Sequence, residues 1–270
     1  MKTLIRYSLV AFLALAMGPS FSVVQNDRNR FELVPIPASA LHHRHQAAPR
    51  IRNRSGTSGN WAGYAVLTRL NAPLSGSVSD VKATWTVPAV SASTSDDTAS
   101  SAWVGIDGYS DNTVEQTGTE HDMTPDGPVY YAWFEMYPKF GYRILNFPVK
   151  EGDTISAEVH YAGNNRFTLT IANLTRDVRF STTQRHKARR ESAEWIVEAP
   201  YSGGTLPLAD FGTLSFSGCS ATVSGHTGGI GDPAWENDNI TMATQDGTVK
   251  AQTSALSGGG SGFSVIWKHE

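Results

Sequence analysis

The sequence holds a single cysteine, Cys219, so no disulfide can close within the chain and no cysteine-histidine set is present to bind a structural metal ion. Such a lone cysteine among strand-forming residues reads as a small buried apolar side chain rather than a reactive thiol. Charged residues are scarce at 17%, and the body of the chain is acidic, which excludes the basic footprint of a nucleic-acid binder. No stretch keeps a helical hydrophobic period for long, so a helix bundle is excluded. A G-x-S-x-G elbow is missing, and with it the serine hydrolases built on one. The one long apolar run, SLVAFLALAMG at 8–18, is too short to span a bilayer as a membrane helix.

That run comes after Lys2 and Arg6 and precedes the small residues Ser20 and Ser22, the pattern of a removable secretory signal at residues 1–22. The expected location is extracellular, or periplasmic in a Gram-negative host, with no membrane attachment after cleavage. Residues 23–54 differ in kind from the remainder of the chain. They carry six arginines against Asp27 and Glu32, a formal +4; with +2 in the signal region, the total of −3 leaves −9 for residues 55–270. Three of the eight histidines, His42, His43 and His45, lie in this leader. A basic leader can hold to an acidic body near neutral pH and let go as carboxylates protonate and histidines charge. That is the behaviour of an inhibitory propeptide, although a linker with no partner has the same composition.

The body of the chain is rich in turn chemistry and strand formers: the sequence has Gly 25, Pro 13, many Ser and Thr, and 10% aromatic residues. Segments alternate at period two between turns, as in VSDVKATWTVP (78–88), TISAEVHY (154–161), RFTLTIANL (166–174) and SAEWIVEAP (192–200). GTLSFSG and SATVSG read as two further strands, with NITMAT, GTVKAQT and GFSVIWK after them. The expected fold is all-β, an antiparallel two-sheet β-sandwich of concanavalin A-like jelly-roll type, formed as one domain over residues 55–270.

The centre of the chain is Ser101–Pro138. Trp103, Gly105 and Asp107 share one strand face; Val114, Gln116, Gly118 and Glu120 share another; Tyr131, Trp133, Glu135 and Tyr137 share a third. Carboxylates and an amide interleaved with tryptophans read as the floor of a cleft, whereas one such strand alone would pass for a half-exposed sheet. In SAEWIVEA, Ser192, Glu194, Ile196 and Glu198 face one way. Glu194 there has two ordinary explanations, an exposed strand face or an ion pair with Arg189 or Arg190.

The motifs GNWAGY, WVGIDG, EQTG, YYAWFEMYP, EGDTI, NLT, SAEWIVE and FSGCSAT, in this order, resemble the glutamic peptidase family, the eqolisins, over residues 58–225. The resemblance implies two packed antiparallel sheets, a cleft across one face, a removable propeptide and an endopeptidase acting on proteins or peptides in acid; separately, a monomer is expected, with its own propeptide as an intramolecular inhibitor. It places the catalytic pair on Gln116 and Glu194. Peptide hydrolysis needs a base for water, a stabiliser for the oxyanion and an acid for the leaving amine. A carboxylate can serve as base and then acid, and an amide donates to the oxyanion without titrating, so no metal or cofactor is required. An unshifted glutamate titrates near ~4.3, which suits acid conditions. Asp107 and Glu120 are expected to orient this pair, and Trp61, Trp103, Trp133, Glu135 and Tyr137 to line the groove or support it. The family more often has aspartate where Glu120 stands, and the disulfides of fungal members are absent, Cys219 keeping one of the positions. The tail after Gly225 matches the family less well, and no site is assigned there.

Two other functions fit the same pattern. A glycoside hydrolase could use Glu135 and Glu194 as its carboxylate pair. A lectin-like module could stack sugars on the aromatics, with Glu194 incidental, but would have little use for a basic leader.

Overall fold

The computed structural model describes residues 31–36, 56–91 and 97–270; the signal segment and most of the basic leader lie outside them. In chain order the strands are β1 (Glu32–Pro35), β2 (Thr57–Ser58), β3 (Trp61–Leu67), β4 (Val78–Thr86), β5 (Thr98–Ile106) and β6 (Val114–Thr124). Then come β7 (Gly127–Tyr137), β8 (Tyr142–Leu145), β9 (Thr154–Tyr161), β10 (Arg166–Asn173), β11 (Val178–Arg185) and β12 (Ser192–Glu198). The last five are β13 (Thr213–Val223), β14 (His226–Gly228), β15 (Glu236–Ala243), β16 (Val249–Thr253) and β17 (Phe263–Trp267). Among the described residues the one helical piece is a 3-10 turn at Gly258–Gly260.

One layer runs β1-β8-β7-β6-β5-β12-β3-β15. The other runs β11-β10-β9-β4-β13-β17-β16-β15. These ladders are antiparallel, and β15 belongs to both, joining the layers at one edge. The two-residue β2 lies parallel to β15.

Alternation builds the core. Val66, Val104, Phe134 and Trp195 from the first layer meet Trp85, Phe167, Phe216 and Phe263 from the second. Each large aromatic removes on the order of 200 Å² from water, roughly 5 kcal/mol of gross transfer energy before ordering entropy is subtracted. The polar tip of Trp85 is satisfied inside the core, its Nε1–H donating to Thr119 Oγ1 at 3.0 Å. Cys219 lies fully buried in the same core, and burial pushes its thiol up to about 12.

The sandwich agrees with the expected fold, with differences in detail. GTLSFSG and SATVSG are one strand, β13, interrupted by a bulge. Gly218 takes φ 60 there, and the Cys219 N–H leaves the ladder for Ser261 O at 2.8 Å. The β6–β7 hairpin turns through Pro125 and Asp126, and Gly127 supplies the φ of 109 that closes it. Four short strands, β1, β2, β8 and β14, have no counterpart in the alternation pattern.

Candidate active site

The face of the first layer turned away from the sandwich core carries a second apolar cluster, with Trp61, Trp103, Trp133, Tyr131, Ile196, Ile240 and Ile36. Cross-strand partners share a face of the sheet, so the register writes this surface as rows. One row reads Glu135, Gln116, Gly105, Glu194, Ala65 across β7, β6, β5, β12 and β3. The next reads Trp133, Gly118, Trp103, Ile196, Gly63, and the one beyond it Tyr131, Glu120, Ser101, Glu198, Trp61.

Gln116 and Glu194 therefore stand two strand spacings apart, about 9.5 Å between backbones, with a glycine between them. A Cβ on Gly105 would lie 2.9 Å from Trp103 Cζ3 and 3.2 Å from Gln116 Cβ. The bare backbone at Gly105 leaves the two long polar side chains free to lean over it from both sides. Both are fully buried, so Glu194 is not on an exposed face. Its ordinary ion-pair partners are engaged elsewhere: Arg189 Nη1 lies 3.3 Å from Glu191, and Arg190 donates to Val78 O and stacks over Tyr161.

The Gln116 amide is oriented by Glu135, whose Oε2 accepts from Nε2 at 2.9 Å. That bond uses one N–H of the amide and turns its nitrogen toward Glu135. Gln116 Oε1 is buried with no hydrogen-bond partner among the described residues. The amide thus keeps an acceptor and its second N–H for a reacting group.

Two carboxylates tie the loop before β12 to the strands carrying the rest of the site. Asp107 stands just past the end of β5 at φ 70, and its oxygens accept from the backbone N–H groups of Arg190 (2.6 Å) and Glu191 (2.7 Å). Alternation ends at Ile106, so Asp107 does not continue the face of Trp103 and Gly105 as its spacing suggested; it reaches Glu194 through the backbone entering β12. Burial, then the neighbouring Asp111 and Glu115 carboxylates, push Asp107 up to about 8 against those two amides. Glu115, adjacent to Gln116 but on the opposite face, meets His186 Nδ1 at 2.6 Å.

Glu120 stands two rows from Gln116, fully buried. Burial first, then Asp122, Glu198 and Glu135, hold its carboxyl well above the ordinary range. Trp103 is wholly buried, T-shaped against Trp61 at 5.0 Å, and its Nε1–H donates to Glu198 Oε2 at 2.9 Å. Trp133 and Trp61 lie in the same cluster, and the half-buried Tyr137 packs against it.

Glu198 is a residue that alternation places on the right face but gives no reason to single out. Its other oxygen accepts from Asn60 Nδ2 at 3.0 Å, so it holds the end of β12 to the chain entering β3. The segment after Gly225 also contributes. β15 forms the edge of this layer, Ile240 joins the cluster, and Tyr109 donates to Asp238 Oδ2 at 2.8 Å. The period-two pattern of NITMAT signals the strand but not which layer it joins.

A profile of the peptidase A4 family matches residues 59–266. The chain is 33% identical over 221 residues to aspergillopepsin-2 of Aspergillus niger, covering 73% of this chain and 74% of that protein. It is 32% identical over 187 residues to scytalidopepsin B of Scytalidium lignicola, covering 63% and 70%. A crystal structure of scytalido-glutamic peptidase with a transition state analog inhibitor superposes with a TM-score of 0.64 at 28% identity, over 78% of this chain and 98% of that one. The crystal structure of aspergilloglutamic peptidase from Aspergillus niger gives 0.55 at 31% identity, over 63% and 99%.

Proposed function

The chain belongs to the peptidase A4 family and is a glutamic endopeptidase, and from this premise we propose that Gln116 and Glu194 are its catalytic pair, working in acid on proteins and peptides. The observation that carries the reading is their shared row on either side of Gly105, both buried on a tryptophan-lined face.

In this reading the Glu194 carboxylate takes a proton from water as the water oxygen bonds to the scissile carbonyl carbon. The carbonyl electrons move onto oxygen, and a Gln116 N–H stabilises the resulting oxyanion. Collapse restores the carbonyl and breaks the C–N bond, and the proton held by Glu194 passes to the departing amine. Glu135 keeps the amide turned for this task, and Asp107 holds the backbone that presents Glu194. A sugar-cleaving pair of Glu135 and Glu194 is not supported: the family is a peptidase family, and Glu135 is engaged with Gln116.

The same reading has the chain exported by residues 1–22 and kept silent as a monomeric precursor by the basic leader. It is supported by the one described piece of that leader, Phe31–Ile36, which packs on the body with Ile36 in the apolar cluster of the site. The test is digestion of denatured casein from about pH 2 to about pH 7 by the wild type, Glu194→Gln and Gln116→Ala. Acid proteolysis that disappears in both variants is expected; undiminished cleavage by Glu194→Gln removes the assignment.

A further inference from the structure

The leader strand shows how an extended peptide sits beside the site. β1 adds antiparallel to β8, pairing Glu32 with Leu145 and Pro35 with Tyr142, and the Ile36 N–H continues the ladder to Gly141 O at 2.8 Å. Alternation then turns the amides of Val34 and Glu32 toward β8 as well, and turns Leu33 and Pro35 outward. Proline falls where no amide is needed.

Side chains hold the segment at its ends. Phe31 packs edge-on against Phe180 at 5.5 Å and lies 6.1 Å from Phe147, while Ile36 is 6% exposed among the aromatics of the site. Between them Leu33 and Val34 are 39% and 38% exposed. The middle of the segment is thus read through its backbone, a mode that tolerates many sequences.

We propose that β8 is the docking edge for the main chain of the substrate, and that Phe31–Ile36 occupies it in the precursor as a stand-in. The preferred occupant is an extended peptide with an aliphatic side chain in the Ile36 seat and an aromatic one five residues toward its N-terminus. This rests on the peptidase reading for its purpose, but its test needs no turnover.

The full-length chain carrying Phe31→Ser and Ile36→Ser, its melting checked by circular dichroism, is titrated with fluorescein-labelled FELVPI peptide and monitored by anisotropy. Saturable binding is expected, displaced by unlabelled peptide fragments of denatured casein. N-methylation at Val34 of the peptide should weaken binding roughly tenfold or more, as loss of an edge hydrogen bond requires, and at Leu33 by less than about threefold. Absence of binding, or equal loss from the two methylations, overturns the proposal. A chain that binds the peptide but never digests protein removes the peptidase reading alone; one that digests protein without binding the peptide removes this proposal alone.

Discussion

Gln116 and Glu194 oppose each other across Gly105, in register on β6, β5 and β12. β12 is inserted between β5 and β3, so the loop before it has to be fixed before Glu194 can face the amide, and Asp107 and Glu115 both reach into that loop.

The glycine between the pair is the first point to test. A methyl at 105 would lie 2.9 Å from the Trp103 ring and 3.2 Å from Gln116 Cβ, so the indole must shift and the space over the glycine fills. Gly105→Ala is expected to cost about 1–3 kcal/mol of stability and to lower kcat by roughly a hundredfold or more through a misplaced amide. Urea melts and kcat on a peptide substrate measure the two effects, and a variant with wild-type kcat would show that the gap plays no part in catalysis.

Glu135 should matter through Gln116 rather than by touching substrate. Glu135→Gln keeps an acceptor for the amide and should lose roughly tenfold in kcat; Glu135→Leu removes it and should lose roughly a hundredfold, with KM changing little in either. A rise in KM at constant kcat would make Glu135 a substrate-binding residue instead.

Much of this is legible as period two. The faces of β6, β7 and β12 come directly from Gln116, Gly118 and Glu120, from Tyr131, Trp133 and Glu135, and from Glu194, Ile196 and Glu198. What alternation does not carry is register between distant strands, which is why the pairing of residues 116 and 194 rests on family resemblance and not on spacing. Asp107 departs from its expected face because GIDG continues the alternation in sequence while the backbone turns to φ 70. β8 is four residues long, YRIL, too short to show a period, and β13 reads as two strands because the glycine of a bulge looks like the glycine of a turn. The part played by β15 depends on a strand serving two layers, a property of tertiary closure.

Glu198 offers a test of the support beneath the tryptophans. It accepts from Trp103 Nε1 and Asn60 Nδ2, and Glu198→Leu leaves both buried donors without that acceptor. The expected loss is on the order of 3 kcal/mol in urea unfolding, larger than the loss from Glu198→Gln, which retains one acceptor. Equal stability of wild type and Glu198→Leu would show that neither bond contributes.

The buried carboxyls predict a fold most stable in acid. Asp107 is raised from 3.8 to about 8, chiefly by burial, and burial also raises Glu115 and Glu120. A carboxyl whose folded pKa lies above its unfolded one binds its proton more tightly when folded, so its contribution is complete below the unfolded value and drains away as pH climbs through the folded one. For Asp107 that window runs from 3.8 to about 8. His121 acts in the opposite direction: burial lowers it from 6.5 to about 3, so its contribution is lost as pH falls through that interval. Burial raises Asp111 as well and lowers His186 as it does His121; four carboxyls against two imidazoles tilt the balance, and melting temperature should fall between about pH 5 and about pH 8. Asp107→Asn should flatten that fall by close to one proton, at most about 4 kcal/mol between about pH 5 and about pH 8, as measured by thermal melts at closely spaced pH. A melting temperature that climbs toward neutrality in the wild type, or a slope unchanged in the variant, would show that Asp107 is ionised in the fold and stabilised by the two backbone amides it accepts from.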